Sequence, residues 1–189
     1  MPSPEPPADL AGLSLADIAR LASERRLPPV ENWNPERCGT SAMRIARDGT
    51  WYHEGSPIGR PTMVRLFSTI LRREPDGGFV LVTPAEKLDI IVEDTPFVAV
   101  ELKSEGEDRT RSVAFRLNTG DLVVAGRDHP IRVEANEGSP HPLIEVRPGL
   151  DALIARPVYY EMAAIALAER ARPPGLWSQG IFFPMEGAA

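Results

Sequence analysis

The chain contains little cysteine, lysine and histidine. Its 189 residues include one cysteine, Cys38, so an intrachain disulfide is impossible. Only two of the 21 basic residues are lysines, and there are three histidines. A closed structural zinc site needs four ligands close together, so one thiol and three scattered histidines exclude the thiolate zinc classes. The sequence predicts no metal and no cofactor.

Long apolar runs and a basic leader are also missing. No apolar stretch approaches the ~20 residues that cross a bilayer. The first basic residue is Arg20, whereas a secretory signal begins with basic residues. The net charge of −6 argues against a nucleic-acid-binding protein, because such proteins usually present a basic face. We therefore expect a cytoplasmic protein that binds neither nucleic acid nor membrane, and the single thiol agrees with that compartment.

The composition is that of an ordinary globular protein, with 42% hydrophobic and 25% charged residues. Residues 1–9 are rich in proline and predict a disordered tail. We expect an N-terminal α+β half over residues 10–87. Residues 88–189 predict a C-terminal, mostly β half with one long helix.

Three segments have the pattern of helices. Ser14 is predicted to cap a helix that runs to about Arg26, and Pro61 suits the first position of a second helix. The third segment, near 158–171, is apolar nearly all round, which predicts a helix buried between other elements. The apolar helix over 157–171 also offers a surface through which the chain could form an oligomer.

A hairpin is predicted around Asp48-Gly49, a favoured two-residue turn. A turn of that length places Arg44 opposite His53. Since side chains alternate along a strand, this register puts Arg44, Ala46, Trp51 and His53 on one face of the hairpin.

The chain contains a faint internal repeat. Arg60-Pro61 and Arg156-Pro157 each precede a helix, a break and a short strand that ends in proline. The segments 51–84 and 143–184 are therefore predicted to be equivalent strand-helix-strand units. The expected fold is α+β, with antiparallel sheets, a few packed helices and an internal duplication of this unit.

The candidate chemistry lies between Trp51 and Lys87. An arginine just before a helix N-terminus is poorly placed for the helix dipole, so Arg60 needs a carboxylate or an anionic ligand as its partner. Its guanidinium matches carboxylate and phosphate oxygens, and His53 can donate to the same anion. The connection 83–87 is a second wall of this concavity. The predicted ligand-binding residues are Arg44, Trp51, His53, Arg60, Glu86 and Lys87.

The specific catalytic motifs are absent. The sequence contains no phosphate-binding Gly-Lys-Ser/Thr, no GxGxxG and no GxSxG. His53-Glu54 begins like a zinc protease motif, but Pro57 stands where the second histidine is required. A structural hydrogen bond and salt bridge at His53 and Arg60 is the alternative to a ligand site.

Several segments together resemble a bacterial family known as domain of unknown function 1285. The resemblance covers roughly 33–184 and implies an α+β fold with an internal repeat. It implies no known activity and no catalytic residues, although a role in ligand binding or signalling has been suggested for such proteins. The segments that carry the resemblance are Trp33-Asn34-Pro35, Trp51 to Ile58, Arg60, Leu66-Phe67-Ser68, Leu81 to Pro84, Glu86-Lys87, Val92-Glu93-Asp94 and Pro96-Phe97.

Three functions remain open from the sequence. The first is a non-enzymatic cytoplasmic module that binds a small anionic ligand or a protein partner, with the role in signalling that the resemblance implies. The second is a small enzyme with His53 as general base and Glu54, Glu86 or Asp94 as its acidic partner. The third is a structural subunit that assembles with itself. A cleft that holds His53 against a carboxylate would favour the enzyme.

Overall fold

The structure is a computed structural model that describes residues 12–186, so the predicted tail over residues 1–9 lies outside the described residues. The chain divides into two compact units. The first, here the N-terminal unit, comprises Arg26–Phe97 with Pro148–Leu150. The second, here the C-terminal unit, comprises the described parts of Met1–Arg25, Val98–Arg147 and Asp151–Ala189.

The three predicted helices are present as α1 (Leu15–Glu24), α2 (Pro61–Thr69) and α3 (Arg156–Glu169). The Ser14 hydroxyl caps α1 by accepting a hydrogen bond from the Asp17 amide at 3.2 Å. Pro61 begins α2, where its missing N–H costs nothing. None of the helices within residues 12–186 is long and apolar enough to cross a membrane.

The N-terminal unit is built on a six-stranded sheet, and α2 lies in the connection between the third and fourth strands. Its strands are β1 (Cys38–Ile45), β2 (Trp51–His53), β3 (Ser56–Pro57), β4 (Leu71–Arg73), β5 (Phe79–Val82) and β6 (Lys87–Val92). They lie in the order β3-β2-β1-β6-β5-β4. Strands β1 and β6, the first and last of this sheet in chain order, lie side by side at its centre and pair in parallel. Strand β2 pairs antiparallel with β1, and β5 pairs antiparallel with β6. Val30, Val80 and Val82 are buried against Trp33 and Ile70.

The C-terminal unit carries the second six-stranded sheet. Its strands are β7 (Phe97–Glu105), β8 (Ser112–Leu117), β9 (Leu122–Val124), β10 (Ile131–Asn136), β11 (Ser139–Arg147) and β12 (Leu150–Ile154). A separate hairpin follows, formed by β13 (Gly175–Ser178) and β14 (Ile181–Pro184). Helix α1 belongs to this unit, where Leu15 and Ile18 are buried against Ala114 and Leu122.

The two sheets have the same strand order. The second sheet runs β9-β8-β7-β12-β11-β10, which repeats the order β3-β2-β1-β6-β5-β4 strand for strand. The α+β fold is confirmed, and these two similar halves support the predicted duplication. The matching elements are the six strands of each half. The predicted equivalence of segments 51–84 and 143–184 was wrong, because α2 connects the third and fourth strands of its sheet whereas α3 follows the sixth and leads to the hairpin. An Arg-Pro pair marks where a helix begins, and it carries no information about which strands the helix connects.

The register predicted for the first hairpin was wrong by one residue. Ile45 lies opposite Trp51, so Arg44 lies opposite Tyr52 and on the other face from Trp51 and His53. The Ala46 amide donates to the Thr50 carbonyl at 2.9 Å, which closes a three-residue loop instead of a two-residue turn. Gly49 takes the left-handed position of that loop, with φ of 86°.

Helix α3 is buried on one face, and the expectation that it is enclosed on all sides was wrong. Val158, Met162 and Ala166 are buried, at the spacing of successive turns. Tyr160 and Leu167 are 62% and 71% exposed on the opposite face. The C-terminal unit is a single sheet, a hairpin and a short helix, so the described residues cover only one side of α3. Oligomer formation through residues 157–171 stays a prediction.

Candidate functional site

The N-terminal unit contains a cavity of about 490 Å³, here called the α2 pocket, between α2 and the first sheet. Its lining comes from β1, the end of β2, the segment between β3 and α2, helix α2 with Ile70 at its end, strands β5 and β6, and the turn between those two strands. The lining residues are Thr40, Ser41, Met43, His53, Ile58, Met63, Phe67, Ile70, Leu81, Thr83, Glu86 and Leu88. All of them belong to the N-terminal unit.

The walls of the α2 pocket are mainly apolar. Met63, Phe67 and Ile70 recur at helical spacing, so α2 turns one apolar stripe towards the cavity. Leu81 and Leu88 form a directly opposed pair on β5 and β6 and line the cavity from the sheet. The same stripe would ordinarily be read as core, because a sequence pattern does not distinguish side chains that fill space from those that line it.

A bulge in β1 forms one edge of the pocket. The pairing of β1 with β6 shifts register between Thr40 and Met43, and Ala42 has a left-handed φ of 54°. The Ser41 hydroxyl donates to the Asp89 carbonyl at 2.8 Å and accepts from the Met43 amide at 3.1 Å. Bulges re-aim side chains, and this one lets Thr40, Ser41 and Met43 all line the cavity.

The polar groups of the pocket sit on two ordered turns. The Thr83 amide donates to the Glu86 carbonyl at 2.9 Å, and the Thr83 hydroxyl accepts from the Glu86 amide at 3.2 Å. These bonds fix the turn that presents Glu86, whose carboxylate lies 3.5 Å from the exposed guanidinium of Arg37. His53 ends β2, next to a turn in which Glu54 and Gly55 both have positive φ.

The structure brings together the two segments predicted to form a concavity. His53 and Ile58 from the first segment line the α2 pocket with Thr83 and Glu86 from the second. Trp51 lies on the same strand face as His53 but is 1% exposed and is not part of the lining. Its indole N–H has no hydrogen-bond acceptor among the described residues. Ligand binding by these residues stays a prediction.

Two of the predicted site residues have partners elsewhere. Arg44 donates to Glu93 at 2.5 Å, and its guanidinium lies 4.2 Å from the centroid of the Tyr52 ring. Lys87 donates to Glu74 at 2.9 Å, and this hydrogen bond is the main cause that raises the Lys87 pKa. Both side chains are therefore held by protein carboxylates, outside the pocket lining.

Arg60 precedes α2 as its N-cap residue and is exposed. Its carbonyl accepts hydrogen bonds from the Met63 and Val64 amides, at 3.0 and 3.2 Å. Across residues 12–186, no ion pair or hydrogen bond of the Arg60 side chain is formed. The structural salt bridge considered from the sequence is thus not made by Arg60 within this range.

The arrangement that would favour an enzyme is only partly present. His53 and Glu86 line one pocket, but in the described part of the chain no carboxylate hydrogen-bonds to the His53 ring. Glu54 and Asp94 do not line the cavity. Groups of three or more histidine, cysteine or acidic side chains suited to a metal ion are not found between residues 12 and 186.

Sequence reasoning missed most of the pocket lining. Thr40, Ser41, Met43 and Leu88 join it through the parallel pairing of β1 with β6, a contact between strands more than 40 residues apart. The one available signal is the apolar spacing of Met63, Leu66, Phe67 and Ile70, which predicts one buried stripe on α2. Three of these side chains line the pocket, whereas Leu66 is 61% exposed and its predicted burial was wrong. Local patterns do not specify which distant strand a stripe faces.

Two family models match consecutive parts of the chain. Residues 28–95 match the N-terminal domain of the domain of unknown function DUF1285, and residues 96–185 match the C-terminal domain of the same family. No curated protein is similar to the chain.

Two solved structures are similar to the chain. A DUF1285 family protein from Silicibacter pomeroyi DSS-3 shares 44% sequence identity, with 96% of this chain and 97% of that chain covered and a TM-score of 0.78. A DUF1285 family protein from Shewanella baltica OS155 shares 21% identity, with 70% of this chain and 94% of that chain covered and a TM-score of 0.52. The second likeness concerns the fold alone.

Proposed function

The chain belongs to the DUF1285 family, as its motifs indicated, and the function of that family is unknown. From the geometry of the chain itself, we propose that it is a non-enzymatic module that binds a small molecule in the α2 pocket. The α2 pocket is the single observation that carries this proposal. Its volume of about 490 Å³ lies within the range of small-molecule sites. Such sites combine apolar walls with a few fixed polar groups, and the α2 pocket has this composition.

The lining supports a ligand with an apolar body and one hydrogen-bond donor. Met63, Phe67 and Leu81 offer apolar surface, and the carboxylate of Glu86 can accept a hydrogen bond from the ligand. No arginine or lysine belongs to the lining, so the pocket favours an uncharged molecule over the anion predicted at Arg60. His53 and the hydroxyl groups of Ser41 and Thr83 supply the remaining polar contacts.

We extend the proposal to a cytoplasmic signalling role. A module that binds a ligand without converting it acts only through its bound state, which is how a sensor works. The one cysteine, Cys38, is a free and exposed thiol, which suits a reducing compartment. Cell fractionation is expected to find the protein with cytoplasmic markers.

A pair of isosteric probes tests the pocket. Indole has a flat apolar body with one N–H donor, and benzofuran has nearly the same shape without that donor. In a ¹H–¹⁵N NMR titration of the full chain, both probes are expected to shift the amide signals of α2 and of residues 81–88. Indole should bind about threefold to tenfold more tightly, because Glu86 accepts its hydrogen bond. Glu86→Ala should remove most of that preference, because alanine offers no acceptor at this position.

A matched pair of tryptophan substitutions on α2 provides the control. Met63 lines the pocket and is 38% exposed, so Met63→Trp adds bulk at the cavity mouth with little strain. Leu66 is 61% exposed on the same helix and does not line the pocket. Met63→Trp should abolish probe binding and Leu66→Trp should leave it unchanged. Equal effects of the two variants, or probe shifts outside the pocket, would contradict the proposal.

The enzyme alternative has its own test, because His53 and Glu86 share the α2 pocket. The wild-type chain and His53→Ala are incubated with chromogenic carboxyl and phosphate esters. A module that only binds shows no turnover that depends on His53. Turnover that His53→Ala abolishes would replace the binding module with a hydrolase that uses His53 as its general base.

A further inference from the structure

The C-terminal unit contains a second cavity, of about 430 Å³, here called the α3 pocket. It lies between the start of β11, the end of β12 and the first turn of α3. The duplication does not account for it, because the α2 pocket lies against the start of the sixth strand of its sheet and the α3 pocket against the end of the sixth strand. The α3 pocket is therefore a separate feature of the C-terminal unit.

The charge of the α3 pocket is opposite to that of the α2 pocket. Arg156 is its one formally charged lining residue, and no aspartate or glutamate belongs to the lining. Arg156 is exposed, and within residues 12–186 its side chain forms no ion pair or hydrogen bond. It is also the first residue of α3, where a cation is unfavourable for the helix, so helix stability does not explain it.

The walls beside Arg156 are aromatic and apolar. Tyr159 and Tyr160 follow on the same helix turn, and Pro140 and Pro142 face them from β11. The Tyr159 hydroxyl donates to the Met185 carbonyl at 3.1 Å, which fixes its ring, and burial raises the pKa of Tyr159 so that it stays neutral. Tyr160 is 62% exposed, which leaves its ring face open to a flat partner.

We propose that the α3 pocket binds a small aromatic anion, an aryl phosphate or aryl carboxylate. The planar guanidinium of Arg156 pairs with two oxygens of such a group. The aromatic ring of the ligand then lies against Tyr160 and the two prolines and buries apolar surface there. Inorganic phosphate has no ring and cannot make this contact. This site is independent of the α2 pocket and of the function proposed for it.

Phenyl phosphate tests the site, with inorganic phosphate and phenol as its two halves. In a ¹H–¹⁵N NMR titration of the full chain, phenyl phosphate is expected to shift the amide signals of Ser139 and His141 and those of the non-proline residues from 153 to 160. It should bind more tightly than either half. Arg156→Gln should weaken phenyl phosphate binding about tenfold, because a charge-assisted bidentate pair is lost. Tyr160→Ala should weaken phenyl phosphate binding and leave inorganic phosphate unchanged.

Arg170 gives the matched control, because it is an exposed arginine at the other end of the same helix. Arg170→Gln should leave phenyl phosphate binding within about twofold of wild type, since only a screened, distant charge is removed. If Arg156→Gln and Arg170→Gln weaken binding equally, the anion is held by surface charge and the site does not exist. Shifts confined to other parts of the chain, or no shifts, would also overturn the proposal.

Discussion

Lys87 and Glu74 are joined by a hydrogen bond of 2.9 Å, and the second Glu74 oxygen accepts from Arg72 at 2.7 Å. Arg72 in turn donates to the carbonyls of Val30 and Trp33, each at 2.7 Å. One carboxylate thus links β4, β6 and the segment that precedes β1. The hydrogen bond from Lys87 is the main cause that holds the Glu74 pKa below its ordinary value of 4.5, with Arg72 adding to it.

Glu74→Gln is expected to make folding less dependent on pH. Because the pKa of Glu74 is lower in the folded than in the unfolded chain, its contribution is complete above 4.5 and is lost as the pH falls through the lowered value. The substitution should reduce the free energy of unfolding by about 1 kcal/mol near neutral pH and by much less near pH 2. Urea denaturation at both pH values measures this difference.

Glu36→Gln is the control for that experiment, because Glu36 is exposed and has no partner among the described residues. It should leave stability unchanged at both pH values. A loss in Glu74→Gln that is equally large in acid would show that the side chain stabilises the fold through packing and not through its charge.

The turn beside the pocket makes a second prediction. Gly55 has a φ of 82°, in the left-handed region, whereas the φ of Gly59 lies outside that region. A Cβ added to either glycine would meet no atom within 4 Å. Gly55→Ala should therefore cost about 1–2 kcal/mol through backbone conformation alone. Gly59→Ala should change stability by less than about 0.5 kcal/mol. Thermal unfolding of the two variants measures both values.

An added Cβ has open space at both glycines, and only Gly55 has a positive φ. The difference in stability between the two alanine variants therefore measures the cost of the backbone angle at Gly55. Gly55→Asn should recover part of the loss, because asparagine tolerates the left-handed region better than alanine. If Gly55→Ala and Gly59→Ala are equally stable, the positive φ at Gly55, and with it the turn that holds His53, is wrong.

The local signals in the sequence located the starts of α1 and α2 but did not fix the strand registers. Ser14 and Pro61 mark helix starts through their own chemistry, so α1 and α2 begin where predicted. Asp48-Gly49 is compatible with both a two-residue and a three-residue loop, and the choice moves every later side chain to the other face. That one-residue difference separated Arg44 from His53.

Only the polar residues of the candidate site, which lie in turns, were predictable from the sequence. His53 and Glu86 were identified because a titratable side chain in a turn is chemically conspicuous. Met43 and Leu88 were not, since apolar lining residues look like core and meet only through the parallel pairing of β1 and β6. Arg156 was seen as the second Arg-Pro pair, but the aromatic cavity beside it depends on the placement of β11 and β12.

The last prediction separates two arginines of the N-terminal unit. Arg60 is exposed and lacks a side-chain partner within residues 12–186, so Arg60→Ala should change the free energy of unfolding by less than about 0.5 kcal/mol. The Arg72 side chain is 16% exposed and holds two backbone carbonyls and Glu74. Arg72→Ala leaves those groups short of a donor and should cost about 2 kcal/mol. Urea denaturation near neutral pH measures both variants.

The same pair of variants decides what Arg60 is for. If Arg60→Ala loses as much stability as Arg72→Ala, Arg60 has a structural partner and the ligand interpretation of this residue ends. If stability is unchanged, an anion that binds through Arg60 should raise the melting temperature of the wild type and of Arg72→Ala but not of Arg60→Ala. Benzoate and inorganic phosphate are the test anions. Because Arg60 does not line the α2 pocket, we expect neither anion to raise the melting temperature of any of the three proteins, and a rise that only Arg60→Ala lacks would instead support the anion site predicted from the sequence.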